Sequence, residues 1–291
     1  MNSNKEPEEN SLAFGGQALI EGVMMRLGIH MVLCVRDENN EIVTKHEVVK
    51  KRTNTNPLLG LPIVRGIVML IETMYYGVKG MIFSANVSLG EEDQFTYKEL
   101  AIVFTMVIAM NAFFVAIPFV LTTYLHLEGA FFNTVESLLR IALFIGYLFL
   151  VSRWGEFRRV LQYHGAEHKA INAYEAGSEM SLGEVKTFSR LNPRCGTYFL
   201  FLTLVVSIAL FSMISSSDFI TKLVMRLLLI PVIGGISYEF LKISDRYRNS
   251  SLMKLVTIPG LAFQRLTTSE PDDDMIEVAV TALKQVLLLS S

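Results

Sequence analysis

A long uncharged stretch of this chain runs from Leu100 to Leu125, and its 26 residues include no Asp, Glu, Lys or Arg. A helix needs roughly 20 apolar residues to cross the hydrocarbon core of a bilayer, so this stretch is long enough to span it with some tilt. Of the 291 residues, 51% are hydrophobic, and the mean hydropathy is +0.41. The chain is therefore expected to be a membrane protein rather than an ordinary soluble enzyme.

Three further apolar stretches are candidates for transmembrane helices. They are Phe131 to Val151, Tyr198 to Ile214, and about Phe219 to Leu241. The last one contains charged residues and is interrupted by Pro231 and by Gly234 and Gly235, so we expect it to be broken or partly buried among the other helices. The sequence thus predicts a mainly α, polytopic helical membrane protein with about four transmembrane helices.

The segment from Pro57 to Ser84 is apolar but carries Arg65, Glu72 and Lys79 at spacings of seven residues. On a helix these three side chains form one narrow polar stripe. If the segment spanned the membrane, the basic connection after Val151 would be forced outside, against the positive-inside rule. We interpret it as an interfacial or re-entrant helix on the cytosolic side. The alternative is that it does span and that one of the four assignments above is wrong.

The distribution of basic residues predicts the orientation of the chain. The connection from His126 to Ser137 has no Lys or Arg, whereas the connection from Arg153 to Arg194 is rich in both. Because cytosolic loops carry the excess of Lys and Arg, both chain ends are expected in the cytosol, with the protein in the cell (plasma) membrane and the lipid bilayer as its surroundings. The net charge of −2 argues against a nucleic-acid partner.

Seven segments follow from these patterns. The N-terminal module is inferred from two β-rich runs, Ile29 to Arg36 and Glu41 to Lys50, which flank a polar turn. The predicted segments are a disordered N-terminus (1–12), a cytosolic β-hairpin module (13–56), an interfacial or re-entrant helix with a linker (57–99), transmembrane helices 1 and 2 (100–152), a cytosolic motif region (153–197), transmembrane helices 3 and 4 (198–243), and a cytosolic C-terminal amphipathic helix region (244–291).

The residues that point most directly to chemistry are His164, Glu167 and His168, which spell H-x-x-E-H. Two histidines four residues apart project from one face of a helix and can share a metal ion, while the glutamate between them can act as the catalytic base on a water. The same spelling is the inverted zinc-protease motif. The alternative is an interfacial helix whose imidazoles bind backbone, lipid headgroups or a carboxylate.

Zinc would require a third protein ligand, and Cys195 and Glu239 are the best placed because both are expected at the cytosolic ends of spans. The neighbouring Arg194 favours the Cys195 thiolate, the form that binds soft metals or attacks substrates. The alternatives are a plain buried cysteine, and a Glu239 that pairs with Arg226 or Lys242. The remaining histidines and Cys34 are expected to be structural or surface residues.

Several spaced motifs resemble the YqhQ-like family (domain of unknown function 1385) over about residues 13 to 288. They are Phe14 to Arg26, Tyr163 to Lys169, Arg194 to Thr197, Gly235 to Glu239, and Leu266 to Pro271. The resemblance implies a multipass membrane protein of a group described as predicted metal-dependent enzymes. The family pattern commonly has a histidine three residues before the cysteine, where this chain has Asn192, and an amide is a poor zinc ligand.

Two main functional hypotheses follow. The first is a metal-dependent hydrolase at the cytosolic membrane face, with Zn²⁺ as the divalent metal, His164, His168 and Cys195 or Glu239 as ligands, Glu167 as base, and a peptide, lipid-linked or membrane-protein substrate. The second is a non-enzymatic membrane factor that assists the insertion or assembly of other membrane proteins. A transporter is a weaker third hypothesis, since four spans without an internal repeat offer little for alternating access.

Overall fold

A computed structural model describes residues 14–49, 57–90, 97–127, 129–193, 195–214, 218–247 and 250–290. Within these ranges the chain forms nine α-helices and a four-stranded sheet. The mainly α, polytopic fold class with a small N-terminal β module is therefore confirmed. The predicted disordered segment 1–12 and residue 194 lie outside the described residues.

The N-terminal module is an antiparallel sheet whose strands follow one another in sequence order. Its strands are β1 (Phe14–Leu19), β2 (Gly22–Leu27), β3 (His30–Arg36) and β4 (Ile42–Val48). Strands β3 and β4 pair as the predicted hairpin, and β1 and β2 add a second one. The two-residue connection from β1 to β2 places Glu21 at a positive φ of 50°, which is uncommon for residues other than glycine.

The helices fall into long apolar ones and shorter ones that flank them. They are α1 (Val64–Leu89), α2 (Tyr97–Tyr124), α3 (Gly129–Val151), α4 (Gly155–Glu175), α5 (Leu182–Thr187), α6 (Thr197–Ser212), α7 (Phe219–Arg246), α8 (Ser251–Thr267) and α9 (Asp273–Ser290). Within the described ranges, four of them are long and apolar enough to cross a membrane: α1, α2, α3 and α7. The number of candidate membrane-spanning helices is four, as predicted, but α1 takes the place of the predicted span at Tyr198 to Ile214.

The two differences concern α1 and α6. Helix α6 has 16 residues, about 24 Å at 1.5 Å per residue, which is less than the roughly 30 Å of the hydrocarbon core. Helix α1 has the length and composition of a span, although the sequence predicted an interfacial or re-entrant helix. Helix α7 runs unbroken for 28 residues through Pro231, and Gly234 and Gly235 are buried. Of the two expected alternatives, it is therefore partly buried and not broken.

The two halves of α1 pack against different partners. Its first half contacts α7, where Gly66 lies against the backbone of Gly235. Its second half covers one face of the sheet, with the side chains of Tyr76, Met81, Phe83 and Val87 packed on the strands. One side of this second half is therefore occupied by protein rather than lipid, which favours the interfacial interpretation over a span surrounded by lipid.

The opposite face of the sheet packs on α4 and α9. A single core joins side chains of β2 and β3, such as Met25 and Val32, to α4 residues such as Ala166 and α9 residues such as Leu283. The C-terminal helix α9 is thus the centre of this core, with eight of its residues buried. Covering the sheet on both faces fixes α4, the helix that carries the H-x-x-E-H motif.

Candidate metal centre

Helix α4 begins directly after the short turn that follows α3, and the H-x-x-E-H motif lies in its buried second half. Gly165, which directly follows His164, faces the backbone of the segment between α8 and α9. In this segment Ser269 donates its N–H to the carbonyl of Leu161 at 2.8 Å. A Cβ on Gly165 would overlap the carbonyl oxygen of Ser269. The glycine therefore allows this segment to approach α4 at the level of the two histidines.

The Nδ1 atom of each motif histidine is held by a backbone carbonyl. His164 Nδ1 lies 2.7 Å from the Thr267 oxygen at the end of α8, and His168 Nδ1 lies 2.6 Å from the Arg190 oxygen. A carbonyl only accepts, so Nδ1 is the protonated nitrogen and Nε2 presents a lone pair. This is the usual arrangement of metal-binding histidines, whose second nitrogen donates to a carbonyl or carboxylate.

The two Nε2 atoms and the Cys195 sulfur form one group. The three potential ligand atoms lie within 4.8 Å of one another, with His164 Nε2 3.1 Å from Cys195 Sγ. His168 Nε2 is buried and has no hydrogen-bond partner among the described residues. Ligand atoms around a tetrahedral zinc ion lie roughly 3.3–3.8 Å apart, given bonds of about 2.0–2.3 Å. The donors thus fit zinc with small side-chain adjustments, and they are the types that zinc prefers.

Cys195 lies just before the first turn of α6, where hydrogen-bond donors point at its sulfur. Thr197 donates its backbone N–H at 3.4 Å and its hydroxyl at 3.2 Å. Together with His164 Nε2 at 3.1 Å, these donors hold the sulfur in place beside the two imidazoles. The sulfur is therefore positioned to bind a cation or to act as a nucleophile.

Glu167 is buried beside this group, with 5% of its surface exposed. Burial raises the pKa of its carboxyl to about 7, and the nearby His164 opposes this shift. Its Oε2 atom has no hydrogen-bond partner among the described residues, and its carboxylate lies against the backbone of Gly16 on β1. A carboxyl group with a pKa near neutral can both take and return a proton, which is the property of a general base.

Glu239 does not join the group, and the structure gives it another partner. Both of its oxygens are bound by the Arg65 guanidinium on α1, with Nε at 2.7 Å, and it also accepts the N–H of Ile63 at 3.4 Å. The expected third ligand is therefore Cys195 alone. The sequence placed Glu239 at a suitable depth but could not show that α1 docks on α7 and brings Arg65 to it.

We expect Glu239→Gln to leave the zinc content of the purified protein unchanged, because its carboxylate holds α1 rather than metal. The substitution removes the charge of a partly buried ion pair, so the thermal unfolding midpoint should fall by a few degrees, in keeping with roughly 1 kcal/mol. Zinc analysis and a melting curve of the same sample check both parts. A loss of zinc in Glu239→Gln with an unchanged melting curve would contradict this assignment.

Asn192, which stands where the family pattern has a histidine, is buried. Its main-chain groups form three hydrogen bonds. Its N–H donates to Gln264 Oε1 at 2.9 Å, and its carbonyl accepts from Gln264 Nε2 at 2.6 Å. Its carbonyl also accepts the N–H of Cys195 at 3.2 Å. Asn192 thus fixes the loop that presents Cys195 against α8.

Two further contacts were outside the reach of sequence reasoning. The carboxylate of Glu21, in the tight β1–β2 turn, binds Arg159 at 2.5 Å and the hydroxyl of Tyr163 at 3.3 Å, so this turn anchors the start of α4. Burial raises the pKa of the Tyr163 phenol, which keeps it protonated as a donor. The other contact is the carbonyl of Thr267, whose only sequence signal is its place in one of the spaced motifs.

Comparison with known proteins gives one family and one relative. Residues 61–288 match the family described as "Protein of unknown function (DUF1385)". The chain is 32% identical over 297 residues to "Uncharacterized protein YqhQ" of Bacillus subtilis (strain 168), which covers 96% of this chain and 93% of that protein. No solved structure matches the chain. The family match includes α4, the Cys195 loop and the end of α8.

Proposed function

The chain belongs to the YqhQ-like DUF1385 family, and from the geometry of its histidine and cysteine side chains we propose that it is a zinc-dependent membrane hydrolase. The observation that carries the proposal is the His164, His168 and Cys195 group, in which both Nδ1 atoms are occupied by carbonyls. The buried Nε2 of His168, without a partner among the described residues, presents a lone pair that a metal ion would accept. Three protein ligands leave a fourth position open, as in catalytic zinc sites.

Zinc, when bound there, would supply a Lewis acid that polarises a substrate carbonyl and a water. Side chains and backbone carbonyls of the chain would transfer the proton and orient the ligands. Glu167 would take a proton from the attacking water at its free Oε2 and return it to the leaving group, so that the hydrolysed bond gains one hydroxyl and one hydrogen. The carbonyls of Thr267 and Arg190 keep the two imidazoles in the tautomer and orientation that bind metal.

A substrate presented at the membrane surface fits the location of this group. Helix α4 starts just after α3 ends, and Cys195 lies just before the start of α6. At the start of α4, Trp154 and Phe157 expose 61% and 45% of their surfaces. Exposed aromatic side chains at helix ends are typical of the membrane interface. We therefore propose a peptide or lipid-linked substrate cleaved at this interface, on the cytosolic side that the positive-inside rule predicts.

The test is Glu167→Gln, which keeps the size of the side chain and removes its ability to accept a proton. We expect the zinc content to be retained and the hydrolytic rate to fall by about 10²–10⁴-fold, the usual contribution of a general base. The measurement is the accumulation of uncleaved substrate, found by comparing the peptides and lipids of a deletion strain complemented with each variant. Glu175→Gln, an exposed position on the same helix, is the matched control.

Wild-type turnover in Glu167→Gln would remove Glu167 from the mechanism. Equal accumulation in Glu175→Gln would show that the effect arises from α4 in general and not from the buried carboxylate.

A thiol-dependent hydrolase is the second candidate, since His164 Nε2 lies 3.1 Å from Cys195 Sγ and Thr197 adds two donors. A cysteine and histidine in this relation can form an acyl-enzyme. This candidate gives no role to the buried Nε2 of His168, which is why we favour zinc. Alkylation of Cys195 separates the two, because bound zinc should slow it strongly, whereas a nucleophile should react quickly whether or not zinc is added.

The non-enzymatic assembly factor would require the stripe of α1, beside the charged groups of the fourth predicted span and the cytosolic modules at both ends that could meet a partner. The structure gives each stripe residue a neighbour within the chain. Arg65 binds Glu239, Glu72 is buried close to Arg26, and Lys79 binds Glu47 at 2.8 Å. The stripe therefore joins α1 to α7 and to the sheet, and it offers this hypothesis little support.

A further inference from the structure

A second charged group lies inside the helix bundle, at the end opposite to the metal centre. Glu136 and Arg140 on α3 and Arg226 on α7 are buried, with 2%, 4% and 1% of their surfaces exposed. The Glu136 carboxylate bridges the two guanidiniums, binding Arg226 Nη2 at 2.6 Å through one oxygen and Arg140 Nη2 through the other. Two cations therefore share one carboxylate, which leaves a formal excess of one positive charge.

This positive charge is only partly compensated. Arg140 Nε and Arg226 Nε and Nη1 are buried and have no hydrogen-bond partner among the described residues. The guanidinium carbons lie over aromatic rings, Arg226 at 4.4 Å from the centroid of Phe119 and Arg140 at 4.6 Å from that of Phe211. Cation–π contacts offset part of the cost of burying a charge but do not neutralise it. Charged residues within membrane helices that remain unneutralised generally have a function.

One of these rings, Phe119, also forms part of the wall of a cleft. A cleft of about 250 Å³ lies between the last turn of α2 and the first turns of α3 and α7. Its lining includes Phe119, Phe132, Thr123, His126, Phe219 and Lys222. Arg226 lies 4.4 Å over the ring of Phe119, and Lys222, one helical turn earlier on α7, lies 5.4 Å over the ring of Phe132. We call this site the outer cleft.

The charge in and behind the outer cleft is cationic. Lys222 makes no ion pair with any residue that the structure describes, and Arg226 and Arg140 add the excess charge behind the aromatic wall. In the low dielectric of a membrane bundle these charges reinforce one another at the cleft. An anionic group is the natural complement, and a compact one, since the cleft is smaller than the roughly 300–1,000 Å³ of sites for drug-sized ligands.

The rim of the outer cleft is apolar, which distinguishes a lipid from a free anion. Around the same ends of α2, α3 and α7, Leu121, Tyr124, Phe131 and Ile220 expose 51%, 76%, 64% and 61% of their surfaces. These helices are long and apolar enough to cross a membrane, and in a bilayer such residues would face lipid. A ligand that enters across this rim has to be amphiphilic, with an anionic head and an apolar tail.

We propose that the outer cleft binds the headgroup phosphate of an anionic phospholipid. Lys222 contacts the phosphate directly, and the positive charges of Arg226 and Arg140 attract it by long-range electrostatic interaction. The rings of Phe119 and Phe132 pack on the glycerol. The metal centre lies beside the other end of α6, about 24 Å away for 16 residues. The lipid therefore serves as a fixed partner of the bundle, separate from the hydrolytic substrate.

The test uses the full-length protein in a neutral detergent, titrated with a short-chain phosphatidylglycerol, a short-chain phosphatidylcholine or inorganic phosphate. The thermal unfolding midpoint is the readout, because a ligand that binds only the folded state raises it. We expect phosphatidylglycerol to raise the midpoint of the wild type and the other two compounds to have little effect. In Lys222→Gln the same rise should require about tenfold more phosphatidylglycerol, the effect of losing one charge-assisted contact.

Two variants serve as controls. Lys222→Arg keeps the charge and should respond like the wild type, and so should Lys242→Gln, which removes an exposed lysine near the other end of α7. Equal responses of the wild type and Lys222→Gln, or of the two phospholipids, would overturn the proposal. A rise of the same size with inorganic phosphate, lost in Lys222→Gln, would show that the cleft takes a free anion and not a lipid.

Discussion

His168→Ala will weaken zinc binding by more than about 100-fold, while the protein remains folded. Loss of a group that only orients a ligand usually costs 10–100-fold in metal affinity, and loss of the ligand itself costs at least as much. His168 is suited to this role because its Nδ1 is held by the Arg190 carbonyl, and its buried Nε2 has no partner among the described residues. Competition with a chelator of known affinity, followed by zinc analysis, measures the change.

The matched control for this prediction is His46→Ala. His46 lies on the edge strand β4 and forms an exposed pair with His30, with Nε2 and Nδ1 3.2 Å apart. Its replacement removes an imidazole without touching the metal centre, so the zinc affinity should stay unchanged. Similar losses in both variants would point to zinc held by scattered surface histidines.

Gly165→Ala will have the second large effect, which is on folding. The added Cβ would overlap the Ser269 carbonyl oxygen and lie 3.4 Å from Pro271 Cδ. Neither α4 nor the segment after α8 can move freely, because the backbone N–H of Ser269 is hydrogen-bonded to the carbonyl oxygen of Leu161. Overpacking of this kind usually costs 1–3 kcal/mol and sometimes more, so we expect a loss of roughly 3 kcal/mol, seen as a clearly lower thermal unfolding midpoint.

Gly183→Ala on α5 is the control, since a Cβ there meets nothing within 4 Å. Alanine is favoured over glycine in helices by about 1 kcal/mol, so this variant should be as stable as the wild type or slightly more so. If Gly165→Ala were equally stable, the close approach of Ser269 to the motif helix would be wrong.

The sequence predicted those parts of the molecule that depend on local patterns. Apolar length identified three of the four helices that could span a membrane, and the two β-rich runs identified the β3–β4 hairpin. The spacing of His164 and His168 was enough to place both on one face of a helix, because four residues make slightly more than one turn. Cys195 was a candidate because the expected spans brought it to the same depth as the motif.

The remaining features depend on contacts between segments far apart in the sequence. Glu239 was a reasonable ligand by depth, but the docking of α1 on α7 gives its carboxylate to Arg65. The C-terminal helix α9 was predicted as an amphipathic helix, but its partners β2 and β3, which place it in the core, could not be predicted. Backbone carbonyls such as that of Thr267 carry no residue type, so their bonds to the histidines could not be read from the sequence.

X-ray absorption at the zinc edge, on full-length protein purified without chelators, tests the metal centre most directly. For the His164, His168 and Cys195 site we predict one zinc per chain, with one sulfur at about 2.3 Å and two imidazole nitrogens at about 2.0–2.1 Å. Folded protein without zinc, or zinc surrounded only by oxygen and nitrogen, would contradict the account.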